Sequence, residues 1–409
     1  MKYFISDLHL GCGDALEDFI IHEKHLPEEK ALRTVRKGIS GMHRKFQTFI
    51  EHIITENSRN DPEFELILLG DIFDLLQVLP GSRNNPAKIR MIYKVHEDFF
   101  KSLKLLNRRG GRITFIIGNH DHDLVYPEMW AELRKFLPFI NRGARKKPLL
   151  YYHSEKAGIY AEHGNQLDSL NSFEDPYDAE EWPFGSEMVR RIINPLEKMH
   201  PMVDNLHPRQ ALWYILRRLP AIIDSTQRDA MQLEKEITGI TPDNRLKHLA
   251  WLIVHRCHMR EAEAFFRPLW KLLTFMEKNL RKASSLGDGF EGILFLFNTI
   301  GRNPLRVFQE LLIDRQIHAA REIVNGKYSH AIGFPEKPPQ HVIFGHTHRP
   351  LLKRLGESRT FANSGSWKAR VRPFGRNGFQ YEQPLDYIQA GKSKTGRWHL
   401  KRKQWINYS

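Results

Sequence analysis

The chain has 409 residues, 41% of them apolar, enough for one large or two to three ordinary domains and too apolar for wholesale disorder. Its two cysteines, Cys12 and Cys257, exclude a disulfide framework. No apolar run reaches the ~20 residues of a membrane span, and GILFLFNTIG at 292–301 falls well short. The formal charge is +14, and most of the excess lies in residues 349–409, which carry 14 Lys and Arg against 3 Asp and Glu.

The opening MKYFISDLHLG meets an acid at Asp7 and has no apolar signal core, so the chain is expected to be cytoplasmic. KYFISD reads as a strand ending on that acid. HRKFQTFIEHIITEN (43–57) has apolar residues at helical spacing. FELILLGD (64–71) is a continuous apolar run, as in a strand buried on both faces. MIYKVHEDFFKSLKLLNRRGG reads as one helix stopped by Gly110 and Gly111. RITFIIGNHD (112–121), GIYAEHGN (158–165) and HVIFGHTH (341–348) are further strands. The rhythm is α/β.

Between 169 and 338 strand signals vanish, and helical patterns punctuated by Pro or Gly take over, as in SEMVRRIINPLEKMH and PLRVFQELLIDRQIHAAREIV. That length reads as a helical insertion, a cap or lid, rather than a loop. His255, Cys257 and His258 could be drawn as a zinc cluster, but a helical pattern with no second cysteine pair argues against it. The aromatic residues at 251, 265, 266, 270 and 275 read as a helical core rather than a lipid-binding stripe. Residues 386–409 read as a basic C-terminal tail. Such a tail would favour an anionic membrane surface, nucleic acid or a nucleotide, and would allow a peripheral position at the membrane; a solubilising role explains the same charge.

Every strand in the α/β part finishes in Asp, Asn or His. The clusters are Asp7-Leu8-His9, Gly70-Asp71-Ile72-Phe73-Asp74, Gly118-Asn119-His120-Asp121, His163-Gly164-Asn165 and Gly345-His346-Thr347-His348. In open α/β sheets, ligands sit beyond the carboxyl ends of the strands, so these clusters should converge. Strand alternation would point Asp7 and His9 the same way, and likewise His346 and His348. Carboxylates, an amide oxygen and imidazoles form a ligand set suited to Mn, Fe, Zn, Co or Ni rather than Ca or Mg. The donors are too many for one ion with an open position. Two ions sharing a bridging carboxylate fit the count, as in sites that displace groups at phosphorus.

In this order, D-x-H, G-D-x-x-D, G-N-H-D, H and G-H-x-H resemble the calcineurin-like metallophosphoesterase superfamily, over residues 1–168 and 341 to about 370. ANSGSW (362–367) adds to the likeness. The resemblance implies a four-layer α/β/β/α sandwich, with core parts at 1–168 and 339–385 flanking the 169–338 insertion. It implies two divalent metal ions, most simply Mn2+. Asp7, His9, Asp71 and His348 would hold one ion. Asp71, Asn119, His163 and His346 would hold the other, with Asp71 bridging. His120 resembles the catalytic histidine, oriented by Asp74 or Asp121, and a hydroxide held by the metals would attack phosphorus directly. His122 and Asp123 extend the third cluster, and surface solvation is the simpler reading of them.

FISDLHLG, GHTHRP and SGSW are most similar to the UDP-2,3-diacylglucosamine hydrolase group, which implies a phosphate-containing small-molecule or lipid-linked substrate. The chain departs from that group in having His120 where arginine is usual, and in a larger, later insertion. DLHLG, GDIFD and GNHD also resemble the exonuclease branch, which makes a metal-dependent nuclease the alternative.

Overall fold

A computed structural model describes residues 1–13, 17, 19, 28–57, 64–78, 82–142, 147–168, 171–183, 185, 186, 189, 190, 194, 304–329, 331–333, 335–368, 370–374 and 378–406. Most of the expected insertion, with His255, Cys257, His258 and the aromatic positions from 251 to 275, lies outside the described residues.

Two five-stranded sheets face each other. The first contains β1 (Lys2–Ile5), β2 (Glu65–Leu69) and β3 (Arg112–Ile116), all parallel. The second contains β4 (Tyr151–Ser154), β5 (Ile159–Glu162), β6 (His341–Phe344), β7 (Leu351–Arg354) and β8 (Thr360–Asn363), of which β5, β6 and β8 run parallel. A separate ribbon pairs β9 (Arg370–Phe374) with β10 (Gly378–Glu382). The continuous apolar runs are explained by alternation with both faces covered. Tyr3, Ile5, Leu66 and Leu68 face an outer core with helix α1 (Glu28–Asn57), while Phe4, Ile67 and Leu69 face Ile159, Ala161 and Ile343 of the opposite sheet. The outer face of the second sheet, including Tyr160, Val342 and Phe344, packs under α5 (Pro304–Val324) through Leu312, Ile317 and Ile323. The architecture is the expected α/β/β/α sandwich.

Three expectations change. The helix expected across MIYKVHEDFF is two helices, α2 (Ala87–Val95) and α3 (Glu97–Arg108), broken at His96 with φ −108° and ψ 29°. The His96 ring is turned inward between His43 Nε2 (3.0 Å) and Glu17 Oε2 (3.1 Å), and that buried contact sets the break. Helix α5 falls inside the 169–338 span expected as an insertion, yet it is the outer layer of the sandwich. The described residues of the expected basic tail, 386–406, are not a tail. Residues there form β11 (Asp386–Lys392), hydrogen-bonded antiparallel to β1, and β12 (Trp398–Gln404) beside it at the sheet edge. The remaining helix of note, α4 (Pro127–Phe136), packs beside α2 on the first sheet's outer face. No described helix is long and apolar enough to cross a membrane.

Candidate metal centre

The parallel strands of both sheets end at one place, and the loops that leave them are knitted together. Asp7 N–H donates to Gly70 O, and His9 N–H to Asp71 O. Gly345 N–H donates to His163 O, and Trp367 N–H to Asp7 O. Gly70 has φ +82°, and a Cβ there would lie 2.5 Å from the His163 ring, so only glycine lets these two loops approach.

The side chains are not aimed by strand alternation. β1 ends at Ile5 and β6 at Phe344, before either pair of ligand residues. Asp7 (φ 55°), His9 (52°), Asp71 (52°), His346 (68°) and His348 (55°) all adopt the left-handed conformation. L-residues adopt it at a cost of roughly 1–2 kcal/mol each. The strain re-aims successive side chains into one pocket and is concentrated at these positions.

The expected ligands come together in two groups. Asp7, His9 and His348 place one ligand atom each within 4.8 Å of one another, and so do Asp71, His163 and His346. Asp71 Oδ2 lies 3.0 Å from His163 Nε2 and 3.9 Å from His9 Nε2, between the groups. A third group, His9, Asp74 and His120, joins the first through His9. Asp7, His9, Asp71, Asn119 and His163 are buried.

The ring orientations are fixed from behind. His163 Nδ1 lies 2.9 Å from Leu69 O, so Nδ1 carries a proton and Nε2 is the ring atom left for a divalent ion that would displace its proton. His9 Nδ1 and His120 Nδ1 lie 2.8 and 2.9 Å from the same oxygen, Asp74 Oδ2. Asp74 therefore orients His120. Asp121, the other expected orienter, instead accepts backbone N–H groups from Gly118 (2.6 Å) and Ile72 (2.9 Å), so it clamps two loops. His122 stacks on Phe173 at 3.8 Å, and Asp123 pairs with Arg83 at 2.8 Å; both are buried, not solvated as expected.

The electrostatics are those of carboxylates crowded among imidazoles. Burial pushes the Asp7 pKa up, but His348 and then His163 outweigh it and lower it to about 2. Asp71 is held well below its usual range, with His163 and His120 overcoming burial. Burial pulls His163 and His120 down, but Asp71 for the first and Asp74 for the second outweigh it, raising them to about 10 and about 9. His9 falls to about 4, through burial and then the positive charges of Lys368 and His120. Asp121 rises to about 7, through burial and the Asp71 charge.

Whether these residues suit a metal is answered by their unsatisfied atoms. Asp7 Oδ1, His9 Nε2, Asn119 Oδ1 and His163 Nε2 are buried without a hydrogen bond. Asp7 Oδ1 and His163 Nε2 do have near neighbours of opposite charge, His348 Nε2 at 3.1 Å and Asp71 Oδ2 at 3.0 Å. Buried polar atoms are rarely left without a hydrogen bond. Lone pairs converging from imidazole, amide and carboxylate are what a divalent ion requires, so the set fits.

A family model for calcineurin-like phosphoesterases matches residues 3–207. The chain belongs to that family. It is a metal-dependent hydrolase acting on phosphoester bonds, and the clustered His and Asp side chains are its candidate metal ligands. Comparison with curated proteins finds no match.

Sequence reasoning missed three neighbours of the site. Asp168 Oδ2 lies 2.9 Å from His346 Nε2, Asn171 Oδ1 accepts from Asn119 Nδ2 at 3.4 Å, and Lys368 is buried beside the cluster. Asp168 stands five residues after His163 and Lys368 follows SGSW, but neither position carried a spacing signal of its own.

Proposed function

We propose that the centre binds two divalent ions, with Asp71 shared between them, and hydrolyses a phosphoester or pyrophosphate bond of a nucleotide-linked lipid or sugar. The observation that supports this most is the pair of donor groups, Asp7, His9 and His348 beside Asp71, His163 and His346, with buried atoms that make no hydrogen bond in both. When bound, such ions supply Lewis acidity and a nucleophile at neutral pH. His9, His348 and Asp7 would hold one ion, and His163, His346 and Asn119 the other. His120, which Asp74 holds through Nδ1, would donate a proton to the leaving oxygen. The likeness of FISDLHLG and SGSW to the UDP-2,3-diacylglucosamine hydrolase group supports the substrate class. Manganese as the metal and a cytoplasmic, membrane-peripheral location are part of the same proposal.

A nuclease is the second reading, favoured by the basic residues of β7 and β12. Lys353, Arg354, Lys401 and Arg402 are exposed on neighbouring strands at the sheet edges. The two readings separate when manganese-dependent product release is measured on a UDP-linked diacyl sugar and on mixed-sequence DNA. Turnover of the sugar lipid, lost in Asp71→Asn, is expected. Turnover of DNA alone, with an affinity falling steeply with salt, would establish the nuclease. Full activity in Asp71→Asn would overturn the two-metal site.

A further inference from the structure

Asp168 and Asn171 follow His163 in sequence and belong to neither ligand group, yet their side chains form one hydrogen-bonded chain with two of the ligand residues. Asp168 is buried, and its Oδ2 lies 2.9 Å from His346 Nε2. The same oxygen accepts from Asn171 Nδ2 at 2.7 Å. Asn171 Oδ1 in turn accepts from Asn119 Nδ2 at 3.4 Å. The segment that carries Asn171 is anchored by other bonds. Asn171 O accepts from Asn165 Nδ2 at 2.9 Å, Phe173 stacks on His122, and Pro176 O lies 3.0 Å from His122 Nε2.

An ionised carboxylate can only accept, so Asp168 sets the direction of every bond in the chain. His346 presents Nε2–H to it, which leaves Nδ1 for an ion. Asn171 presents its NH2 group to it, which turns Oδ1 towards Asn119. Asn119 then presents its own NH2 group to Asn171, and its Oδ1 is left buried without a hydrogen bond. The two ends of an amide have nearly the same shape, so packing alone would not choose between them. The ligands of the other ion are oriented from elsewhere, His9 by Asp74 at 2.8 Å and Asp7 by Ser6 Oγ. Given the two-ion centre proposed above, on which this step rests, we propose that Asp168 and Asn171 are positioning residues for one ion alone, the one held by His163, His346 and Asn119. They fix which atoms of His346 and Asn119 face that ion.

The test titrates manganese into the metal-free full chain by calorimetry, for the wild type, Asp168→Asn and Asn171→Ala, with thermal unfolding measured on each. Asp168→Asn keeps the shape of the side chain and removes the charge that directs the chain of bonds. The wild type should take up two ions. In Asp168→Asn one ion should bind at wild-type affinity and the other about 10- to 100-fold more weakly, while the metal-free protein still unfolds cooperatively. At a manganese concentration just sufficient to fill both wild-type sites, the electron paramagnetic resonance spectrum should change from that of a coupled pair to that of a lone bound ion. Asn171→Ala should weaken the same ion, and it decides the matter if Asp168→Asn does not fold. Two ions bound as in the wild type, or both weakened alike, overturns the assignment. A wild type that takes up one ion or none overturns the two-ion centre itself, and is read before either variant.

Discussion

Asp74 Oδ2 receives two imidazole N–H groups, from His9 and from His120, and so couples a metal-ligand residue to the candidate proton donor. Replacing it with Asn should weaken manganese binding about 10- to 100-fold and slow turnover as well, because both tautomers lose their anchor. His120→Ala separates the two effects. Turnover should fall about 10²- to 10⁴-fold with metal content near wild type, and metal loss would show that His120 is a ligand. In the metal-free chain His120 is charged below about 9, its carboxylate neighbours having outweighed burial. A charged His120 is the acid form, so turnover should fall as pH rises through its pKa, lowered from that value once divalent ions add positive charge. This alkaline limb should vanish in His120→Ala, as a pH–rate profile would show. The motif residues could be read from sequence because each closes an apolar run. Asp121 could not be given its part, since its place beside His120 in sequence says nothing of a turn that aims it at Gly118 and Ile72 N–H. Lone residues such as Asp168 and Lys368 have no period or spacing to betray them.

At the scale of elements, the break between α2 and α3 is tied to a buried row of three side chains, Glu17, His96 and His43. Glu17 also accepts N–H groups of Gly11 (3.1 Å) and Gly13 (3.0 Å), so the row steadies the loop that leaves His9. Burial, and then the His96 charge, hold His43 to about 4, so it is neutral when folded. An unfolded histidine takes up its proton near 6.5. The unfolded chain therefore gains protons first as pH falls, and His43 lowers stability between about 6.5 and 4. Across that window the stability difference between wild type and His43→Gln should shrink by about 1–3 kcal/mol, measured by denaturant midpoints. A helical period could not reveal the break, because His96 is compatible with a helix and its partners are remote in sequence. Helix α5 was hidden differently: its pattern matches those before it, and only the sheet beneath it makes it core.

For the whole molecule, the last strands matter more than their composition suggests. β11 lies between β1 and β12 in the first sheet, and Tyr387 and Ile388 are buried on its two faces. Removing 386–409 would expose the edge of β1, which leads into Asp7 two residues beyond its end. A chain ending at 385 should therefore fail to fold cooperatively by circular dichroism and thermal unfolding, whereas a solubilising tail would be dispensable. The charge misled here because β12, with Lys401 and Arg402 exposed at an edge, carries the composition of a tail. Lysine on an edge strand is a common guard against strand-to-strand aggregation. The α/β class was readable, because its parallel strands are buried on both faces and announce themselves as apolar runs, whereas the sandwich followed only from the resemblance of the motifs.

The left-handed backbone at positions 7, 9, 71, 346 and 348 has a consequence for inheritance. Glycine and asparagine tolerate that conformation better than histidine does. A duplicate of this chain released from its chemistry, and selected only to stay folded, would drift towards glycine or asparagine at 9, 346 and 348. Descendants that keep histidine there would be marked as working copies by their backbone alone.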